Sequence, residues 1–130
     1  MYLVTIVVAK RRRILSSIEV GEVHATPIGE VCDATWLEIP HHQPGAILRR
    51  VVIMPDHIHG LLEFAPGSRS TLPRAIGGFK SAVTRRVREA DLWGVSPLWQ
   101  RGYHDRILSH PGAIEAAKRY IESNPARWSC

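Results

Sequence analysis

Four apolar, strand-like runs separated by segments of helical periodicity constrain this chain more than any other feature. Residues 2–8 (YLVTIVV) are dense in β-branched and aromatic side chains and stop at Lys10-Arg11-Arg12-Arg13, the pattern of a buried strand followed by a turn. Residues 46–54 (AILRRVVIM) and 57–64 (HIHGLLEF) are broken by Pro55-Asp56 and read as an antiparallel pair or one bent path. Residues 98–108 (LWQRGYHDRIL) supply the last run. Between them, Ile28, Val31, Cys32, Trp36 and Ile39 mark one face of a helix ending at Pro40, and Leu72, Ile76, Phe79, Val83 and Val87 mark a longer one over 72–90. Residues 18–25 suit a short hairpin arm, and a closing helix runs from near Pro111 to the Asn124-Pro125 junction. That order predicts an α+β sandwich, helices over an antiparallel sheet.

At 130 residues one domain over 1–130 is expected. Lys and Arg number 17 against 12 Asp and Glu, a net charge of +5, which favours a polyanionic partner. The two cysteines, Cys32 and Cys130, make no disulfide framework. The amino-terminal apolar run precedes its positive charges, the reverse of a secretory signal, and no run is long enough to span a membrane. A soluble, cytoplasmic protein is expected.

Residues two apart in a strand share a face, so His57 and His59 project side by side, roughly 7 Å apart along the backbone, and one ion can bridge them. A bare His-x-His is equally the pattern of polar residues facing solvent. A histidine-triad hydrolase would need a third histidine where Leu61 stands, and neither HExxH nor Cys-x-x-Cys occurs. Tyr120 and Asn124, four apart in the closing helix, lie on one face. A phenol attacks phosphorus only when its proton is drawn off or the phosphate is polarised. Asn124 can add a neutral amide oxygen to a metal site, a composition that suits Mg2+ or Mn2+. Simple amphipathicity would also explain both residues.

The blocks MPDHIHG, GGFKSAVTRRV, LWQRGYHDRIL and RYIESNP, in this order, resemble the REP-associated tyrosine transposases, relatives of the single-tyrosine insertion-sequence transposases, also called HUH endonucleases. The resemblance spans essentially the whole chain. It implies a ferredoxin-like fold and metal-dependent cleavage of single-stranded DNA beside hairpins through a 5′-phosphotyrosine, by a monomer or homodimer. It implies His57, His59 and Asn124 as metal ligands and Tyr120 as nucleophile, with Tyr103 a rival. Asp56 stands where many relatives have Asn. Lys80, Arg85, Arg86 and Arg88 are expected to offer a phosphate-binding surface, with Trp99 or Tyr103 stacking on an unpaired base. A non-catalytic single-strand or RNA-binding module and a phosphodiesterase using water are the competing readings.

Overall fold

Among the described residues the three long helices open alike, each with a side-chain cap followed by a proline in the first turn. Thr26 accepts from Gly29 N before α1 (Pro27–Leu37), Thr71 from Arg74 N before α3 (Leu72–Glu89), and His110 Nδ1 from Ala113 N before α4 (Pro111–Ser123). Each cap satisfies an N–H left over by the first turn, and the proline costs nothing where no intrahelical partner exists. The structure, a computed structural model, describes residues 1–94 and 97–128.

Among the described residues six strands accompany them: β1 (Tyr2–Val7), β2 (Ser16–Glu19), β3 (Glu22–Ala25), β4 (Ala46–Ile53), β5 (His57–Phe64) and β6 (His104–Ile107). The main sheet runs β4-β5-β1-β6, every neighbour antiparallel. With α1 between β1 and β4, and α3 between β5 and β6, this is the ferredoxin-like βαββαβ arrangement. β2 and β3 form a separate hairpin whose Val20-Gly21 turn has φ of 52° and 73°, the primed-turn geometry that suits strand twist.

Alternation along β5 divides the two faces of the sheet. Ile58 and Leu62 join Val4 and Ile6 against Trp36 and Cys32 of α1 and Ile76, Phe79 and Val83 of α3. Trp36 and Phe79 meet edge to face with ring centroids 5.7 Å apart. Gly60 lies beneath Trp36, where an added Cβ would come 2.4 Å from the indole. On the opposite face Leu61 packs with Leu108 and with Ala117 and Ile121 of α4. Among the described residues no helix is long and apolar enough to cross a membrane.

Two expected boundaries move. Pro40 does not end the structure around it: α1 stops at Leu37, and Pro40 sits in the first turn of a short helix, α2 (Ile39–His42), where proline is tolerated. The strand expected over 98–108 shrinks to β6. Leu98 and Trp99 bury in the core, Trp99 forms a lone bridge with Val8, and Gly102 turns the chain with φ of 74°.

Candidate active site

The alternation that sends Ile58 inward brings His57 and His59 out together on the α4 face, their ring centroids 4.6 Å apart. Both rings are largely buried and both are held through Nδ1. His57 Nδ1–H donates to Asp56 Oδ1 at 2.6 Å, and His59 Nδ1 shares a 2.9 Å hydrogen bond with the Thr5 hydroxyl on β1. A ring fixed through Nδ1 presents Nε2 as its free donor. Burial, and then the neighbouring His57, push the His59 pKa down to about 4, so His59 is a neutral imidazole at physiological pH.

Asp56 is itself held, its Oδ2 accepting from Arg11 Nε at 3.2 Å. Arg11 reaches it from a backbone in the left-handed region, with φ of 57° at Lys10 and 51° at Arg11. Non-glycine residues pay to sit there. Spacing alone gives Arg11 and Thr5 no role, because their partners are set by chain reversals that residue spacing does not reveal.

Tyr120 projects from α4 toward the pair, its ring centroid 5.4 Å from that of His59 and the residue still 42% exposed. Asn124 caps the same helix. Beyond it, a 3-10 turn over Pro125–Arg127 carries Arg127 over the Tyr120 ring, 5.1 Å from its centroid, and sets Trp128 6.3 Å from the His57 ring. His57, Tyr120, Asn124, Arg127 and Trp128 line one open cleft of about 370 Å³. Arg127 and Trp128 lie past the last periodic segment and were missed for that reason.

Comparison with known proteins matches the family described as Transposase IS200 like over residues 1–124. The chain belongs to the IS200-like transposases. An uncharacterised Haemophilus influenzae protein is 23% identical over 147 aligned positions, covering 98% of this chain and 81% of its own. A REP-associated tyrosine transposase, solved bound to a REP hairpin, superposes with a TM-score of 0.75 at 14% identity, over 97% of this chain and 66% of its own. A candidate transposase of Deinococcus radiodurans gives a TM-score of 0.63 at 22% identity, covering 93% of this chain and 87% of its own. This IS200-like chain thus spans just under two thirds of the REP-associated protein it resembles in fold.

The basic residues of α3 do not form the single surface expected of them. α3 lies across the sheet from His57 and His59, and its cations point to two different flanks. Arg86 is committed to α1, donating to Thr35 Oγ1 at 2.8 Å and pairing with Glu38, whose carboxyl that hydrogen bond holds below the usual range. Arg85 shares that flank and lies 3.9 Å from Glu89. Lys80 and Arg88 face the loop around 97–102 instead, where Lys80 Nζ donates to the carbonyls of Gln100 and Gly102. Partial burial lowers the Lys80 pKa. Trp99 is not available for stacking on a base: it is 7% exposed, packs on Phe79, and donates Nε1–H to the Lys80 carbonyl. Tyr103 packs against the α1–α3 core, with burial first and Asp105 second raising its pKa, so it too lies away from the histidines.

Among the described residues no three His, Cys, Asp or Glu side chains gather into a metal-binding group. The donors this IS200-like site offers are two imidazoles with their Nδ1 atoms engaged and the Asn124 amide on the same cleft. Two nitrogen donors and one neutral oxygen leave positions open for water and phosphate oxygen, so the set fits an open divalent-ion site.

Proposed function

We propose that this chain cuts and rejoins single-stranded DNA beside hairpins, with Tyr120 as nucleophile and His57, His59 and Asn124 as ligands of Mg2+ or Mn2+. The observation that carries the reading is the edge-to-face contact of the Tyr120 ring with His59, beside a cleft lined by Tyr120 together with His57 and Asn124. The hairpin is suggested by the REP-associated transposase of similar fold, which is bound to one.

The phenol gives up its proton, its oxygen bonds to phosphorus, and the 3′ oxygen of the preceding nucleotide leaves and is protonated. A 5′-phosphotyrosine and a free 3′-hydroxyl result. One phosphodiester replaces another, so attack by a second 3′-hydroxyl reverses the step and joins strands without ATP. A bound divalent ion would offset negative charge gathering on the non-bridging phosphate oxygens. Asp56 and Thr5 hold the two imidazoles in place, which removes their freedom before substrate arrives. The Arg127 guanidinium, over the Tyr120 ring, supplies positive charge where the phosphate must come.

Incubation with manganese and a labelled hairpin-flanked single strand, followed by denaturing electrophoresis, tests the reading. Wild type should carry label covalently. Tyr120→Phe, which deletes only the hydroxyl, should bind the strand and give neither adduct nor cut product. Continued cutting by Tyr120→Phe would indicate water as nucleophile, and loss of the adduct in Tyr103→Phe instead would move the role to Tyr103.

A further inference from the structure

The residues that follow α4 form a surface with its own chemistry. Trp128 is held from several sides: its backbone N–H donates to the Pro125 carbonyl at 3.2 Å, Arg13 lies over its ring at 5.2 Å from the centroid, and His57 flanks it. The turn before it rests on the β2–β3 hairpin, where a Cβ added to Gly21 would lie 3.5 Å from the Ala126 Cα. Among the described residues neither Arg13 nor Arg127 pairs with a carboxylate, whereas Arg11, Arg49, Arg50 and Arg86 all do. Among the described residues Trp128 joins neither core cluster. An indole with the Arg13 guanidinium over its ring, and beside it Arg127, which is held over the Tyr120 ring and by a 3.5 Å bond to the Tyr120 carbonyl, line a cleft of about 370 Å³ that matches in size and chemistry a flat base joined to a phosphate.

We propose that Trp128, with Arg13 and Arg127, forms a binding site for one unpaired nucleotide of the DNA strand entering the Tyr120 cleft, the base stacking on the indole and the guanidiniums meeting its phosphates. The proposal rests on the reading of the cleft as the site of DNA cleavage. It places strand binding at the carboxy-terminal side of the catalytic face, away from Trp99 and the α3 cations. Stacking on an aromatic face tolerates any base, so the site orients the strand without reading its sequence.

Binding rather than cleavage tests this, in the full chain carrying Tyr120→Phe so that no strand is consumed. Oligothymidylate should bind about tenfold more tightly than an abasic strand of equal length, the magnitude of one stacked base. Adding Trp128→Ala should remove that preference and leave abasic binding nearly unchanged, while Trp128→Phe keeps most of it. Arg127→Ala should weaken both strands and flatten the salt dependence. Light-induced crosslinking of 5-iododeoxyuridine strands should label the peptide containing Trp128. A preference that survives Trp128→Ala, or crosslinks confined to peptides outside the cleft, overturns the proposal. So does faster cleavage of every strand by Trp128→Ala in the otherwise wild-type chain, because the indole would then be covering the cleft. Absence of a covalent adduct in wild type bears on the cleavage reading alone, and unaltered strand preferences on this one alone.

Discussion

The two faces of the central sheet are built for different purposes. Against α1 and α3, Val4, Ile6, Ile58 and Leu62 meet Trp36, Phe79 and Val83 in a continuous apolar core. Against α4, a small cluster around Leu61 and Ile121 gives way to His59 two residues along β5 and to His57 four residues along it. One face excludes water and supplies most of the cohesion. The other gives up part of its apolar contact to hold imidazoles, a phenol and an amide around an open cleft, so binding groups are mounted on a strand whose rigidity comes from behind.

Replacing both His57 and His59 by Ala should have the largest effect on this contrast. Cleavage should vanish and strand affinity stay near wild type, because affinity rests on phosphate contacts elsewhere, while the loss of two buried, hydrogen-bonded rings lowers the melting temperature without preventing folding. A collapse of the melting temperature would show that the histidines hold the fold. Next in size, Phe79→Ala should cost about 3–5 kcal/mol in denaturant unfolding, and Ile121→Ala about 2 kcal/mol, the lower end expected for a side chain in a small cluster. Equal losses would erase the distinction between the faces.

Asp56 sharpens the comparison at finer scale. Asp56→Ala should weaken manganese binding, followed by titration calorimetry, about 10- to 100-fold, the cost of losing a histidine's orienting partner. Asp56→Asn, whose amide oxygen still accepts from His57 Nδ1–H, should recover most of it. Unchanged affinity in Asp56→Ala would limit the Asp56 contact to folding. The smallest effect concerns Cys32, whose thiol burial pushes up to about 12 from an ordinary 9.0. In a Cys130→Ser background the native protein should resist alkylation at pH 8 and react only on unfolding. Since the unfolded chain releases this proton first, the Cys32 contribution to stability is present at neutral pH and is lost as pH rises from about 9 toward 12. Rapid labelling of native protein would show that the α1 face opens.

Much of the fold was legible because periodicity reports which face of an element is apolar, and β1, β5, α3 and α4 have clear periods. The region over 98–108 misled because Leu98, Trp99, Ile107 and Leu108 are apolar enough for a strand, and nothing in the composition says that Gly102 bends the chain or that Lys80 ties down its carbonyls. His57, His59, Tyr120 and Asn124 could be singled out as candidates from spacing and family resemblance. Their supports could not: Thr5, Arg11 and Asp56 acquire meaning only when β1 and β5 are placed side by side. The α3 cations misled in another way, since a helical wheel shows charge and not which neighbour takes it. Arg86 is taken by Glu38 and Lys80 by backbone carbonyls.

Gly60 beneath Trp36 works as a reading frame for strand β5. A slip of one residue would exchange Ile58 for a histidine on the side facing α1, send the imidazoles into hydrocarbon and turn the isoleucine out to the cleft. It would also thrust a leucine or histidine side chain at the indole, where the glycine leaves room only for hydrogen. The frame that fills the core and the frame that assembles the donors are therefore one, and a chain that pairs its strands wrongly is penalised before any substrate could meet a misbuilt site.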